Sequence, residues 1–239
     1  NPCGVSSNRS RLSSFKNAFA CDPVSAFGGI IACNFKIDKK TAAEITKNFC
    51  EVVISKGFDI QALNILKSKK NLRLINFSKY KNLNKTITKF FDNSFLMQEK
   101  NQRIMDSNKL RFVSKIKPSK KDLKELEFAN KVCKFVKSNA IVITKDMSTI
   151  GIGAGQPSRL DSCKIAIQKA KLFRRNKVKN SYAASDAFFP FKDGIKTLAK
   201  AGVKTVVQPG GSLKDKEVIK EADNNKLKMI LTGLRHFNH

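Results

Sequence analysis

A run of aromatic and acidic residues, SDAFFPFKDG at 185–194, is the segment of this 239-residue chain whose composition most suggests chemistry. Pro190 stands among three phenylalanines, and proline disfavours a central strand because it lacks a backbone donor. A loop that displays rings beside carboxylates suits a flat heteroaromatic ligand, which stacks on the rings while its ring nitrogens donate to an acid. From the residues alone, core packing of the phenylalanines and contact with a ligand are equally good explanations.

Three glycine-bearing segments could bring the backbone close to a ligand. PGGS at 209–212 stands between a predicted strand and a predicted helix, where α/β sheets bind ligands and helix N-termini favour anions, although an ordinary tight turn explains it better. GIGAGQPSR at 151–159 lacks the third glycine and the acid of a dinucleotide site, but Arg159 could make a forked contact with a carboxylate or phosphate. For DPVSAFGG at 22–29, turn chemistry and close approach of a ligand are equally good explanations.

The two histidines, His236 and His239, stand in the terminal segment RHFNH. No third or fourth residue with suitable spacing completes a zinc site, so we predict that the protein holds no metal. Arg235 in the same segment is suited to clamp a phosphate. The chain has neither a Gly-x-Ser-x-Gly motif nor a Cys-His pairing, which argues against a nucleophilic hydrolase.

Strands alternate with amphipathic helices along most of the chain, which predicts a layered α/β architecture with at least partly parallel strands. The spacing of apolar residues predicts helices at 41–49, 59–69, 119–138, 158–171, 194–201 and 214–224. Short apolar runs predict strands at 52–54, 141–143, 149–152, 203–208 and 228–231. Residues 76–120 are rich in Lys and Asn and predict only a connector or peripheral element.

Composition restricts the class of protein. The chain is 41% hydrophobic, enough to bury a core, and its six cysteines are widely spaced, as is typical of reduced thiols in a cytosolic protein. No apolar run approaches the roughly 18 residues that span a bilayer, and no signal-peptide pattern stands at the start. The lysines behind the net charge of +28 are spread along the chain, which favours compositional drift over a nucleic-acid surface, although such a field would also attract small polyanionic substrates.

Taken in order, these motifs resemble those of the bifunctional purine-biosynthesis enzymes, in the C-terminal portion that carries the transformylase. The resemblance covers nearly the whole chain and weakens over roughly 76–118. Its segments are NPCGV at 1–5, DPVSAFGGIIA at 22–32, ALNILKSKKNLRLI at 62–75, KFVKSNAIV at 134–142, GIGAGQPSR at 151–159, SDAFFPFKDG at 185–194, QPGGS at 208–212 and TGLRHFNH at 232–239. Each motif alone is unspecific, but their conjunction in this order is specific.

The resemblance implies formyl transfer from 10-formyltetrahydrofolate to 5-aminoimidazole-4-carboxamide ribonucleotide (AICAR). The family's second activity, IMP cyclohydrolase, resides in another domain. The resemblance also implies an α/β fold of two cytidine-deaminase-like subdomains in α-β-α layers, which we expect at 1–118 and 119–239. It further implies a metal-free reaction and a cytoplasmic homodimer with active sites built across the interface. The implied partners are small molecules and not membranes or nucleic acids.

Site residues follow from the resemblance, position by position. The implied nucleotide site consists of Gly28, Glu51, Asn139, Arg235 and Phe237. The implied folate site consists of Arg159, Leu160, Phe188, Pro190, Phe191, Asp193 and Ser212. Asn139 is the catalytic candidate among them, because its side-chain amide is an oriented donor for the oxyanion that develops on the formyl carbon.

A Lys-His pair immediately precedes, in the family, the segment that corresponds to NPCGV at 1–5. Its His is the general base for the AICAR amine, and its Lys stabilises charge in the transition state. Neither His236 nor His239 is the equivalent residue. We therefore expect the 239 residues by themselves to keep the fold and part of the substrate-binding surface, with little or no formyltransferase activity. A basic RNA-binding protein and a non-catalytic dimerisation scaffold are the alternative interpretations.

Overall fold

The structure, a computed structural model, describes residues 1–79 and 85–238. Its α-helices are α1 (Arg11–Phe19), α2 (Lys39–Ile45), α3 (Ile60–Lys67), α4 (Lys120–Cys133), α5 (Arg159–Arg174), α6 (Asp193–Ala201) and α7 (Asp215–Asn224). Its strands are β1 (Gly29–Cys33), β2 (Cys50–Ser55), β3 (Arg73–Asn76), β4 (Thr86–Phe91), β5 (Ser94–Glu99), β6 (Arg111–Phe112), β7 (Ile141–Lys145), β8 (Ser148–Gly153), β9 (Ser181–Ser185), β10 (Val203–Gln208) and β11 (Lys228–Leu231).

A small parallel sheet, in the order β1-β2-β3, forms the first part of the fold. Val53 at its centre pairs with Ile31 on one side and Leu74 on the other, and it is fully buried. Ile45 of α2 and Leu66 of α3 belong to the same buried cluster as Val53. The two helices therefore cover the sheet and give this part of the chain its own core.

The strand and helix predicted at 52–54 and 59–69 are confirmed as β2 and α3. The helix predicted at 41–49 is real but lies earlier, as α2, because Asp38 caps it. The Asp38 carboxylate accepts a hydrogen bond from the backbone amide of Thr41 at 2.8 Å. The sequence predicts neither α1 nor β1, so the segment around the 22–29 loop is more regular than its glycines indicate.

A six-stranded sheet in the order β6-β11-β10-β9-β7-β8 forms the second part of the fold. Strands β9, β10 and β11 run parallel, with Val206 of β10 paired to Ala183 on one side and Met229 on the other. Strand β7 is antiparallel to both β8 and β9, and β6 is antiparallel to β11. The prediction of an α/β class with partly parallel strands is confirmed.

Helices cover both faces of this sheet. Successive strand residues point to opposite faces, and β7 shows the division. Val142 belongs to the buried cluster of α4, together with Leu126. Its neighbour Ile141 belongs to the cluster of α5, α6 and α7, together with Leu198. The sheet is thus the middle of three layers.

Two glycines of GIGAG, Gly151 and Gly153, lie inside strand β8, which extends one residue beyond the strand predicted at 149–152. Helix α5 crosses β8 very closely. A Cβ atom added to Gly151 would lie 2.1 Å from the carbonyl oxygen of Ala166, and one added to Gly153 would lie 1.9 Å from that of Ser162. Glycine is required here because the helix backbone occupies the space of a side chain.

Helix α4 begins with a capping box, which confirms the predicted start of this helix near 119. The Ser119 hydroxyl accepts a hydrogen bond from the Asp122 amide at 3.2 Å, and the Asp122 carboxylate accepts one from the Ser119 amide at 2.8 Å. The same carboxylate accepts hydrogen bonds from the hydroxyl of Tyr182 at 3.0 Å and from Nζ of Lys228 at 2.7 Å. One residue thus fastens α4 to strands β9 and β11.

The predicted connector contains an exposed hairpin, formed by β4 and β5. Strand β6 lies in the same stretch and pairs with β11, so the connector also supplies an edge strand to the larger sheet. Positions 80–84 of the connector lie outside the described residues. The boundary placed between residues 118 and 119 stays a prediction.

Candidate functional site

A cavity of about 1130 Å³ lies between the smaller sheet and the β8 edge of the larger one, where residues of both α4 and α5 line it. Its wall contains residues 1–8, much of the 22–29 loop, strand β1 and Gln156. Segments of NPCGV, DPVSAFGG and GIGAGQPSR, which are far apart in sequence, therefore border a single space. A concave cavity with a mainly apolar lining and a few polar groups is the usual form of a small-molecule site.

The polar groups of this cavity include an ion pair between Asp22 and Lys169. The Asp22 carboxylate also accepts a hydrogen bond from the Ser25 amide at 3.0 Å. Burial raises the pKa of Asp22, but the hydrogen bonds from Lys169 and Ser25 outweigh it, and the pKa lies below its ordinary value. Burial and the nearby Asp22 raise the pKa of Cys3, so its thiol is protonated at neutral pH and is not an activated nucleophile.

Arg159, at the first position of α5, makes the forked contact that its position suggests, but with its own chain. One end of its guanidinium pairs with the carboxylate of Asp186 and donates to Oγ of Ser185 at 2.8 Å. The other end donates to Oδ1 of Asn139 at 2.7 Å. Arg159 and Asp186 are 7% and 0% exposed, so this pair lies inside the protein. The contact of Arg159 with folate stays a prediction.

Asn139 uses its whole side-chain amide within the protein. Its Nδ2 donates to the carbonyl oxygens of Gln156 and Pro157, each at 2.9 Å, while Oδ1 accepts from Arg159. Its carbonyl oxygen accepts from Oγ of Ser162 at 2.8 Å. Asn139 therefore fixes the segment that carries Gln156 at the cavity wall. Donation from its amide to an oxyanion stays a prediction, and it would require one of these hydrogen bonds to exchange.

The C-terminal segment lies beside Asn139. Ser138 and Asn238 are joined by two hydrogen bonds, from Ser138 N to the Asn238 carbonyl oxygen at 2.9 Å and from Asn238 N to the Ser138 hydroxyl at 3.1 Å. In the same segment the guanidinium of Arg235 lies 4.4 Å from the ring centroid of Phe237, a cation–π contact, and both side chains are exposed. An exposed cation above an aromatic ring is available to an anionic, aromatic ligand.

Gly28 and Glu51 lie together at the start of the smaller sheet. Gly28 has a φ of +68°, the left-handed region that favours glycine, and its amide donates to the Phe49 carbonyl oxygen at 3.1 Å. Gly29 pairs with Cys50, immediately before Glu51, whose side chain is exposed. The five nucleotide candidates thus form two groups, Gly28 and Glu51 at the smaller sheet and the other three in segments that flank strands of the larger sheet.

The 185–194 segment divides its phenylalanines between core and surface. Phe189 is 1% exposed and belongs to the core on the α5 side, whereas Phe191 is 60% exposed and Phe188 is half-buried. The adjacent Pro190 is exposed. Core packing therefore accounts for Phe189, while contact of Phe188 and Phe191 with a ligand stays a prediction.

The remaining folate candidates are Asp193 of the same segment, Leu160 of α5 and Ser212 of the QPGGS loop. Asp193 is exposed at the start of α6, where its carboxylate accepts a hydrogen bond from the Gly194 amide at 2.7 Å. Leu160 and Ser212 are half-buried. The Phe189 amide donates to Oε1 of Gln208 at 2.9 Å, which holds the 185–194 segment next to QPGGS. These two loops therefore lie side by side, as a shared ligand site requires.

A second concave region, of about 950 Å³, lies between α5 and α6. Five cationic side chains line it: Lys164, Lys171, Arg175, Lys179 and Lys200. Several stand near the C-terminal ends of helices, where the helix dipole favours cations, so helix stability is a sufficient reason for them. None of the sequence motifs reaches this region, and it gives no specific support to nucleic-acid binding.

Two buried residues that connect segments of the candidate site are absent from the sequence-based site residues. They are Asp186, which pairs with Arg159, and His236, whose backbone amide donates to the Asp186 carbonyl oxygen at 2.8 Å. Burial and the nearby Lys134 lower the pKa of His236, although Asp186 opposes them. For Asp186 the sequence did contain a signal of a site residue, because an acidic residue stands next to a run of aromatic residues. For His236, nothing in the sequence distinguishes a buried residue from an exposed one.

Over residues 1–79 and 85–238, no group of three or more His, Cys, Asp or Glu side chains could hold a metal ion. His239 lies outside the described residues, so the His-x-x-His pair itself is not seen. No helix in the same part of the chain is long and apolar enough to cross a membrane.

A layered α/β fold with a concave cavity between its two sheets is typical of proteins that bind small ligands. Residues 1–169 match the sequence model of the AICARFT/IMPCHase bienzyme family. The chain is 46% identical over 240 residues to the bifunctional purine biosynthesis protein PurH of Leptospira biflexa, 47% over 247 residues to that of Rhodospirillum rubrum and 46% over 239 residues to that of Aquifex aeolicus. This chain belongs to the AICARFT/IMPCHase bienzyme family.

Each of these three alignments covers all of this chain but only 46–47% of the relative. The chain therefore spans about half the length of the curated relatives that it matches. The resemblance drawn from the motifs is confirmed at the level of the family.

Proposed function

We propose that this chain carries the substrate-binding surfaces of a purine-biosynthetic transformylase, which transfers a formyl group from 10-formyltetrahydrofolate to AICAR. Membership of the family and the names of the PurH relatives support a role in purine biosynthesis. The observation that carries the finer proposal is the meeting of NPCGV, DPVSAFGG and GIGAGQPSR around one cavity. Each of these motifs is unspecific by itself, but together they support a common binding site because the fold places them around one cavity.

The chemistry explains why such a surface needs two substrate sites. The AICAR amine attacks the formyl carbon and gives up a proton to the base, and the bond from that carbon to N10 of the folate breaks as N10 takes up a proton, which releases tetrahydrofolate. This amine is conjugated with its ring and carboxamide, so it needs a base, which contributes roughly 10²–10⁴-fold. The resemblance assigns that role to a Lys-His pair before the segment that corresponds to residues 1–5. The residues of this chain bind and orient the substrates, and orientation supplies much of the remaining rate.

Four exposed candidate residues have a defined part in this proposal. Arg235 and Phe237 bind the phosphate and the ring of the nucleotide, since the cation lies above the aromatic face. Phe191 offers an exposed ring to the pteridine, and Asp193 offers a carboxylate to its ring nitrogens. The reaction needs no metal in this proposal.

Calorimetric titration of the 239-residue chain with AICAR and with 10-formyltetrahydrofolate tests the proposal. We expect saturable binding of both, with formyl transfer that is weak or absent until the chain is extended to include the Lys-His pair. A folded chain that binds neither ligand would refute the proposal. Robust turnover by the 239 residues alone would refute the assignment of the base to the preceding segment.

We also propose that the protein acts as a homodimer, as the family resemblance implies. The exposed hairpin of β4 and β5 supports this, because its apolar side chains include Phe90 at 79% and Phe95 at 64% exposure, and such surfaces generally mark interfaces. Sedimentation of Phe90→Ser and Phe95→Ser variants should shift the protein toward monomer. The Phe135→Ser variant is the control, since Phe135 is an equally exposed ring outside the hairpin. A dimer unaffected by the hairpin variants would exclude the hairpin from the interface.

A further inference from the structure

Asp186 stands where four segments of the candidate site meet. Its carboxylate pairs with Arg159, and Arg159 donates in turn to Oδ1 of Asn139 at 2.7 Å. Asn139 then donates twice to the carbonyl oxygen of Gln156, from its backbone amide at 3.2 Å and from Nδ2 at 2.9 Å. Because Gln156 lines the cavity, this sequence of contacts runs from the buried carboxylate to the cavity wall.

Asp186 also holds the C-terminal segment, through its backbone. Its carbonyl oxygen accepts a hydrogen bond from the His236 amide at 2.8 Å. His236 is 1% exposed and stands between Arg235 and Phe237, which are both exposed. The Ser138–Asn238 hydrogen bonds attach the same C-terminal segment to residue 138, which immediately precedes Asn139. Asp186 is therefore linked both to the cavity wall and to the segment of Arg235 and Phe237, the residues proposed to bind the nucleotide.

Stability alone is a poor reason for this arrangement. Oδ2 of Asp186 and Nε2 of His236 are both buried without a hydrogen-bond partner in the described part of the chain. Buried polar atoms without partners are destabilising. A buried ion pair is, moreover, often no more stabilising than well-packed apolar residues of similar volume. Polar groups retained under these conditions are candidates for a functional role.

We propose that Asp186 is a positioning residue for the proposed formyl transfer, which couples the cavity wall at Gln156 to the segment that carries Arg235 and Phe237. This inference rests on the proposed function. Asp186 does not touch substrate in it. Its carboxylate fixes Arg159, and through Arg159 and Asn139 it fixes the position of Gln156 in the cavity wall. Its backbone carbonyl group fixes the position of the segment that carries Arg235 and Phe237.

The test is the Asp186→Asn variant of the full 239-residue chain, with Asp122→Asn as its matched control. Both remove the charge of a buried carboxylate paired with a cation, and both carboxylates flank β9. Asp122, however, pairs with Lys228 and bonds to Ser119 and Tyr182, whereas Asp186 pairs with Arg159. The first measurement is the NMR chemical shift of the backbone amides of Gln156 and Phe237. We expect Asp186→Asn to move both, and Asp122→Asn to move neither.

The second measurement is AICAR affinity by calorimetry. Misplacement of Arg235 removes its charge-assisted contact with the phosphate, whose loss costs about tenfold or more in affinity, so we expect Asp186→Asn to weaken binding by about tenfold. Asp122→Asn should leave the affinity unchanged. If Asp186→Asn does not fold, Asp186→Glu serves instead, since it keeps the charge but moves Arg159.

The outcomes separate this inference from the proposed function. Unmoved Gln156 and Phe237 amides in a folded Asp186 variant would overturn the inference, whatever the ligand affinities. Equal shifts in the Asp122→Asn control would do the same, because they would show general destabilisation in place of positioning. A wild-type chain that binds no AICAR, but whose Gln156 and Phe237 amides both respond to Asp186→Asn, would refute the proposed function and leave the coupling of these two segments by Asp186 established.

Discussion

Gly153 of β8 lies so close to Ser162 of α5 that a Cβ atom on the glycine would stand 1.9 Å from the Ser162 carbonyl oxygen. We expect Gly153→Ala to separate the helix from the strand and to lower the free energy of unfolding by about 3 kcal/mol, as overpacking of a core does. Urea denaturation followed by circular dichroism measures this change.

Gly211→Ala is the control for this prediction. Unlike Gly153, Gly211 has a positive φ, +98°, but a Cβ there would meet nothing within 4 Å. Its substitution should cost only the backbone strain, about 1 kcal/mol. Equal losses in the two variants would show that α5 can shift away from β8 without difficulty.

Asp122 fastens α4 to two strands of the larger sheet, and its substitution tests that attachment. Asp122→Asn leaves Lys228 without its partner and weakens the hydrogen bond from Tyr182. We expect a loss of roughly 3 kcal/mol in the free energy of unfolding, as for other broken buried pairs. Ser119→Ala removes only the helix cap and should cost about 1 kcal/mol. A smaller loss for Asp122→Asn than for Ser119→Ala would contradict the network.

The contribution of Asp122 should also depend on pH. Burial raises its pKa, but hydrogen bonds from Lys228, Ser119 and Tyr182 outweigh burial and lower the value from 3.8 to about 2. A lowered pKa stabilises the folded protein fully above the unfolded value, and this stabilisation disappears as the pH falls through the folded value. The difference in unfolding free energy between wild type and Asp122→Asn should therefore shrink between about pH 5 and pH 2. A constant difference over that range would contradict the prediction.

Phe189 and Phe191 should respond oppositely to removal of their rings. Phe189 is buried in the core, so Phe189→Ala should lower the free energy of unfolding by about 3–5 kcal/mol. Phe191 is exposed, so Phe191→Ala should leave stability within about 0.5 kcal/mol and weaken binding of 10-formyltetrahydrofolate roughly threefold to tenfold. Calorimetry measures the affinity, and an unchanged value would remove Phe191 from the folate site.

Arg235 should be needed for nucleotide affinity but not for folding. Its side chain is exposed and lies above Phe237, so Arg235→Ala should not unfold the protein. Loss of a charge-assisted contact with the AICAR phosphate should weaken binding by about 1.5–3 kcal/mol. Arg73→Ala, at an exposed position of β3, controls for the loss of one positive charge. Equal affinity in both variants would exclude Arg235 from the site.

Regular elements with a clear apolar pattern could be predicted from the sequence, and those without one could not. The strands at 203–208 and 228–231 are found at the predicted residues. Strand β9 has no counterpart in the prediction, although all five of its residues are buried, because SYAAS contains mostly small or polar residues and no apolar alternation. Its burial comes from the strands on both sides, which sequence spacing does not show.

The candidate site, too, could be predicted from the sequence only in part. Residue types and their order were sufficient to predict the α/β class and the family, since these depend on local patterns and on a conjunction of motifs. Only the tertiary structure decided that Phe189 is core while Phe191 is surface, that Gly153 accommodates a helix, and that the partner of Arg159 is Asp186. Each of these outcomes depends on contacts between distant segments. Residues of the same type, such as Phe189 and Phe191, have different roles because packing, and not composition, fixes which side of a segment faces the core.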